Sequence, residues 1–210
     1  AALLLRKAEV LRKLGRSGEA LEILEQLRAR GEGGLAGLRL LGELRIQEKE
    51  DALRKAREEG AGEEILEKAR EDLEETRLQV ARDLVQANPT DLGLKFRLGE
   101  ALLARGLLDE AVAEFQQAVK DPRYKTEAQV RLARAFRQKG LVDLALSQYS
   151  KALESLGPSG EKTREVLYEM GVLLEEKGDL QGAKEKFARI YEEDITFKDV
   201  SERLERLSKA

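Results

Sequence analysis

Apolar residues recur at three- and four-residue spacing along nearly the whole chain, and the runs are separated by glycines or short polar turns. That period lines one side of a helix with apolar groups, whereas a strand would need strict alternation. The runs predict eleven helices, over residues 1–14, 17–30, 35–59, 62–87, 91–105, 108–120, 125–139, 142–156, 161–177, 180–192 and 197–208. Thr126 followed by Gln129 has the form of a capping box for the seventh helix, and Asn88-Pro89 punctuates the end of the fourth. Composition agrees with this reading. Leu, Ala, Glu, Arg and Lys supply 131 of the 210 residues, above the share that marks long helices, while Val, Ile and Thr together number 20, too few for a substantial sheet.

A larger period overlies the helical one. Leu98-Gly99, Gly106, Ala111, Phe115 and Ala118 return 34 residues later as Leu132-Ala133, Gly140, Ala145, Tyr149 and Ala152. They return again, after a further 38, as Met170-Gly171, Gly178, Ala183, Phe187 and Ile190, and an earlier copy reads Ala8, Gly15, Ala20, Leu24 and Leu27. Counting within each copy, positions 8 and 20 are small, which lets two antiparallel helices approach closely. Position 24 is large and fills the space toward the next copy. Position 15 is glycine, which ends the first helix in a left-handed conformation without a Cβ penalty.

These packing positions resemble the tetratricopeptide repeat, from about Leu3 to the end and most clearly from Asn88 to Tyr191. The resemblance implies an all-α fold, an α-α right-handed superhelix of about five helix pairs with a capping helix over residues 197–208. It reads the chain as one repeat domain, 1–210, with repeats at about 1–34, 35–91, 92–125, 126–163 and 164–196. It also implies a non-catalytic protein-interaction scaffold that binds a peptide or protein partner.

Subtracting repeat position from residue number gives offsets of 0, 34, 57, 91, 125 and 163, so the second repeat carries 23 extra residues, Gln47 to Ala69. No glycine or proline interrupts them before Gly60 and Gly62. Both helices of that repeat are therefore expected to run on, turn at Glu59 to Gly62 and return, projecting by about 15 Å at 1.5 Å per residue. Ile46, Leu53 and Ala56 outward, and Leu66, Ala69, Leu73 and Val80 inward, keep a spacing that pairs along one seam.

Charge sharpens the functional reading. Lys and Arg number 38 against 41 Asp and Glu, and aromatics are 4% with no Trp, which removes both the field and the stacking platforms for nucleic acid. With no His and no Cys, thiolate or imidazole metal sites, a Cys nucleophile, a Ser–His pair and disulfides are excluded; no catalytic residue, metal site or cofactor is assigned. The tract Gly157 to Thr163 is not a phosphate loop, because Glu161 stands where glycine must precede the lysine. No run is long and apolar enough to span a membrane; a cytoplasmic setting is favoured, with a periplasmic or membrane-anchored parent left open.

Two surfaces remain as candidates. Positions 5, 9 and 12 share the free face of each first helix, giving a partner-binding groove of Phe96, Glu100, Leu103, Val130, Arg134, Arg137, Tyr168 and Val172. Phe96, Val130 and Tyr168 form its apolar row, on the expectation that core packing does not need them, with Arg134 and Arg137 as an anionic anchor; the plainer reading is that these residues merely cover neighbouring helices. The arm is the second surface. Residues 46–76 hold 12 acidic and 6 basic side chains, and Glu58, Glu59, Glu63, Glu64 and Glu67 near its tip form a candidate docking site for a basic partner. The plainer reading of the arm is a solvated hairpin held by pairs such as Glu50–Arg54, Asp51–Lys55 and Glu64–Lys68. Two rival functions stay open: a regulatory domain of a larger enzyme or membrane-anchored protein, and a self-assembling homo-oligomer.

Overall fold

The computed structural model describes residues 1–209, which form eleven helices and, among those residues, no strand. In chain order they are α1 (Ala2–Lys13), α2 (Ser17–Ala29), α3 (Gly34–Glu58), α4 (Glu63–Ala87), α5 (Leu92–Ala104), α6 (Leu108–Ala118), α7 (Lys125–Gln138), α8 (Val142–Leu156), α9 (Glu161–Lys177), α10 (Leu180–Glu193) and α11 (Val200–Lys209). Two compact units contain them, Ala1–Leu107 with α1 to α5 and Leu108–Ala210 with α6 to α11.

The repeated glycines end their helices in one way. Gly15, Gly106, Gly140 and Gly178 take φ of 75°, 69°, 73° and 87°. In each case the next residue's N–H reaches back to a carbonyl five residues earlier, as Arg16 N to Leu11 O at 2.9 Å and Leu141 N to Phe136 O at 2.9 Å. The glycine's own N–H bonds a second carbonyl, so two acceptors left over at the helix end are satisfied.

Packing follows the small and large positions. Ala20, Ala111, Ala145 and Ala183 are 0% exposed at position 20, and Leu24, Phe115, Tyr149 and Phe187 are at most 2% exposed at position 24. At position 8 of the last full repeat a Cβ on Gly171 would lie 2.7 Å from Phe187 Cε1, so α9 and α10 meet closely only because glycine is there. Burying each such large side chain contributes about 1.5–3 kcal/mol.

One cap and one boundary differ from expectation. Thr126 lies inside α7 and caps nothing: the helix begins at Lys125 and has no side-chain cap. A turn built by Asp121 sets that start, its Oδ1 accepting from Arg123 N at 2.9 Å while Tyr124 N bonds Asp121 O at 3.0 Å. The last helix starts at Val200 and not at 197. There the Asp194 carboxylate accepts from Thr196 N at 3.0 Å and Thr196 Oγ1 at 2.8 Å, and Lys198 takes φ 49°, so the backbone cannot enter the helix sooner.

In the first unit, α3 and α4 are 25 residues each, against 12 and 13 for α1 and α2. Gly60, at φ 69°, closes α3 in the same manner as the other glycines, with Ala61 N bonded to Ala56 O at 2.9 Å. Leu53 and Leu73 form the seam at 8% and 5% exposed, with Ala56, Leu66 and Ala69 half-buried beside them. Between residues 47 and 72 only Leu53 is buried, so this stretch packs mainly on itself.

Candidate functional site

In the first unit, α3, α4 and α5 enclose a cleft of about 530 Å³. α3 contributes Arg39, Glu43 and Ile46, which are positions 5, 9 and 12 of its repeat, and α5 contributes Arg97, Glu100, Ala101 and Ala104. The floor comes from α4 through Val80, Ala81 and Leu84, with Glu74 and Arg77 toward the arm. The rule of positions 5, 9 and 12 covers the α3 residues and Glu100, but sequence reasoning missed the α4 wall. The signal was present, since the offset of 57 puts Arg77 and Ala81 at positions 20 and 24.

Most charges around this cleft are already engaged. Arg12 Nη1 donates to Glu43 Oε2 at 2.8 Å, Arg77 donates to both Glu74 and Glu50 at 2.7 Å, and Arg39 stands 3.6 Å from Asp91. Asp91 also caps α5, accepting from Gly93 N and Leu94 N. Arg97 differs: it is exposed and makes no hydrogen bond or ion pair among the described residues.

In the second unit the expected groove residues are largely committed to one another. Arg134 Nε donates to both oxygens of Glu169, at 3.1 and 3.0 Å, and its Nη2 adds a further bond to Oε1. The Tyr149 hydroxyl donates to Glu169 Oε2, and Arg137 pairs with Glu176 at 2.5 Å. Burial pulls the Glu169 carboxyl up, but the hydrogen bonds from Arg134 and Tyr149 outweigh it and hold the group below its ordinary value. Tyr149 shifts upward, through burial first and then through its bond to the Glu169 carboxylate. Glu175 takes Arg203 at 2.6 Å and also Arg206, tying α9 to α11. Arg134 and Arg137 thus already hold carboxylates of their own chain, which a partner's acidic group would have to displace or join.

The apolar row needs a correction. Phe96 is 7% exposed and belongs to the core, because the face of α5 that carries it is covered. Tyr168 stacks edge-on against Phe187 and Phe197, donates its hydroxyl to Asp199 at 2.5 Å and lies under Lys198 Nζ, 4.4 Å from the ring centroid. Val172 packs with it against the core that α11 closes. Val130 alone lines open space, a cleft of about 290 Å³ shared with Arg134 and the α9 residues Lys162 and Glu165. Leu103 is half-buried.

On the arm, the ion pairs form but with other partners than the simplest spacing gives. Arg54 reaches Asp51 at 2.7 Å and Glu58 at 3.9 Å, Lys55 reaches Glu59 at 3.8 Å, and Glu50 is taken by Arg77 from α4. Arg70 holds Glu63 at 2.7 Å and Glu67 at 2.8 Å, while Glu64 remains exposed. No helix among the described residues is long and apolar enough to cross a membrane.

The fold has many solved relatives. YrrB, described as a TPR protein with an unusual peptide-binding site, superposes with a TM-score of 0.67 at 15% identity, over 99% of this chain and 91% of that one. MamA from Desulfovibrio magneticus RS-1, residue 41 to the end, gives 0.62 at 15% identity over 100% and 97%. A thermophilic TPR protein of Thermus thermophilus gives 0.53 at 20% identity over 100% and 99%. At such identities the likeness speaks for the fold alone, and no curated protein sequence matches the chain. The tetratricopeptide repeat model matches residues 66–128, 96–161 and 130–196, a stretch that runs over more than half of the chain. With its small residues, glycine turns and helix pairs in the matching register, the chain belongs to the tetratricopeptide repeat family.

Proposed function

We propose that this protein is a non-catalytic scaffold that engages a partner polypeptide through the free faces of its first helices, chiefly at the cleft walled by α3, α4 and α5. Membership of the repeat family supports an interaction scaffold in general. The cleft carries the finer reading: it joins an apolar floor to a charged rim, as side-chain-accepting surfaces do, and four residues at groove positions 5, 9 and 12 (Arg39, Glu43, Ile46 and Glu100) line it. Photo-crosslinking tests it. A benzophenone amino acid at Leu103 or Val130 should crosslink the partner recovered with the purified chain, while the same group at Ser150 or Lys186, on second helices, should not. Equal crosslinking from the second helices would overturn the reading.

A second reading, self-association, rests on α1 and its C-cap residue, where Leu3 and Val10 in the helix and Leu14 at its end are 81%, 49% and 65% exposed and recur at helical spacing. Sedimentation velocity across a hundredfold concentration range decides it: a constant sedimentation coefficient removes it.

A further inference from the structure

The second repeat breaks the packing rule that the other four keep. Where they carry Leu24, Phe115, Tyr149 and Phe187 at position 24, it has Ala81; where they carry alanine at position 20, it has Arg77. Val80 takes up part of the lost contact, since a Cβ on Gly42 would lie 2.4 Å from Val80 Cγ1, much as Phe187 stands against Gly171. A valine is smaller than the residues it replaces. Arg77 does not fill the remainder, because Glu50 and Glu74 hold its guanidinium at 2.7 Å each. The consequence is the open volume of about 530 Å³ above Ala81 and Leu84, bounded by Ile46 and Ala101.

The rim has a preferred charge. Glu43, Glu74 and Arg77 are satisfied by partners within the chain, Arg39 faces Asp91, and Glu100 is also engaged. Arg97 is the exposed lining cation that nothing in the described residues neutralises. We infer that the cleft seats a Phe- or Leu-sized side chain of a partner segment with an acidic residue beside it: the ligand supplies the packing residue this repeat lacks, and its carboxylate meets Arg97. The inference rests on the groove reading above and names the segment that reading would accept.

Fluorescence polarisation with the full chain and labelled twelve-residue Gly/Ser probes tests it. One probe carries Glu-Phe-Glu at its centre, one Glu-Ala-Glu and one Lys-Phe-Lys. The first should bind at least tenfold more tightly than the other two. Ala81→Phe fills the cleft from within and should weaken that binding at least tenfold. Ala104→Phe, at an exposed position of the lining, should do the same and serves as the second variant should Ala81→Phe fail to fold. Arg97→Glu should turn the preference toward Lys-Phe-Lys. Equal binding of the Phe and Ala probes, binding of none, or unaltered binding by both filling variants overturns the inference. If Leu103 still crosslinks a natural partner while the probes behave in that way, the groove reading stands and only the cleft assignment falls; loss of first-helix crosslinks removes the groove reading itself.

Discussion

The hydroxyl of Tyr149 donates to Glu169 Oε2 at 2.5 Å, and this bond joins the second helix of the fourth repeat to the first helix of the fifth. Tyr149 is fully buried, so its polar tip needs a partner, and Glu169 in turn needs the Arg134 guanidinium. Tyr149→Phe should therefore cost about 1 kcal/mol, the net value of one such bond. Glu169→Gln, which also strips the carboxylate from Arg134, should cost more, about 1–3 kcal/mol. Urea denaturation followed by circular dichroism measures both; equal midpoints for the two variants and the parent would show that the network is not stabilising.

The same pair fixes a pH dependence. Glu169 has its pKa lowered in the folded chain, so the unfolded chain binds the proton first and the stability it lends is complete above the ordinary carboxylate range, then lost as pH falls through the folded value. Tyr149 runs the other way. Its raised pKa means that the stability it lends is complete below the ordinary phenol range and lost as pH rises through the folded value. Thermal midpoints taken from pH 3 to pH 11 should fall at both ends, and Glu169→Gln should flatten part of the acid limb. An unchanged acid limb in that variant would assign it to Asp199, Asp121 and Asp194, whose pKa values are also lowered.

Gly171→Ala tests the close approach of α9 and α10. Alanine gains up to about 1 kcal/mol of helix propensity over glycine, but its Cβ would lie 2.7 Å from the ring of Phe187, which is fully buried. Overpacking should win, for a net loss of about 1–3 kcal/mol, and Phe187→Leu in the same chain should recover part of it. A gain in melting temperature from Gly171→Ala alone would mean that the two helices separate at little cost.

Deletion of Gln47 to Ala69 should leave the protein folded, with Arg105 to Asp109 grafted over Glu71 to Glu75 to supply a glycine turn. The deleted stretch contributes one buried side chain, Leu53, and surface ion pairs worth a few tenths of a kcal/mol each. Circular dichroism should show the helical signal reduced only by the missing residues, with one cooperative transition. Broad or non-cooperative melting would show that the arm stabilises the rest of its unit.

The helices and their pairing were legible because three kinds of residue each act over a short range. A glycine at position 15 ends a helix through bonds to its own last turn, and alanines and large residues at positions 20 and 24 meet a neighbouring helix at fixed spacing. What the sequence could not reveal was which distant charge a groove residue meets. Helical period places Arg134 on a face, but Glu169 lies 35 residues on, and the length of both side chains decides whether they join. The start of α11 escaped for a related reason, since Asp194 acts through a local turn that competes with the helix. The cleft was hidden by a different cause: Arg77 and Ala81 fit an ordinary helix equally well, and only their failure to fill a shared space makes them informative.

Gly60 sits in a turn whose neighbours, Glu58 to Gly60 and Gly62 to Ile65, are largely exposed, far along a hairpin whose two arms are held together by seam packing and by pairs such as Arg77–Glu50. The covalent link across that turn is consequently dispensable to the packed part of the molecule. The gene could be divided there and its two products expressed apart, 1–60 and 61–210, and each would carry one side of a ready-made zipper. A glutamate-specific protease, which has Glu59 within the turn itself, should cut there and leave a nicked protein that migrates as one species until denatured.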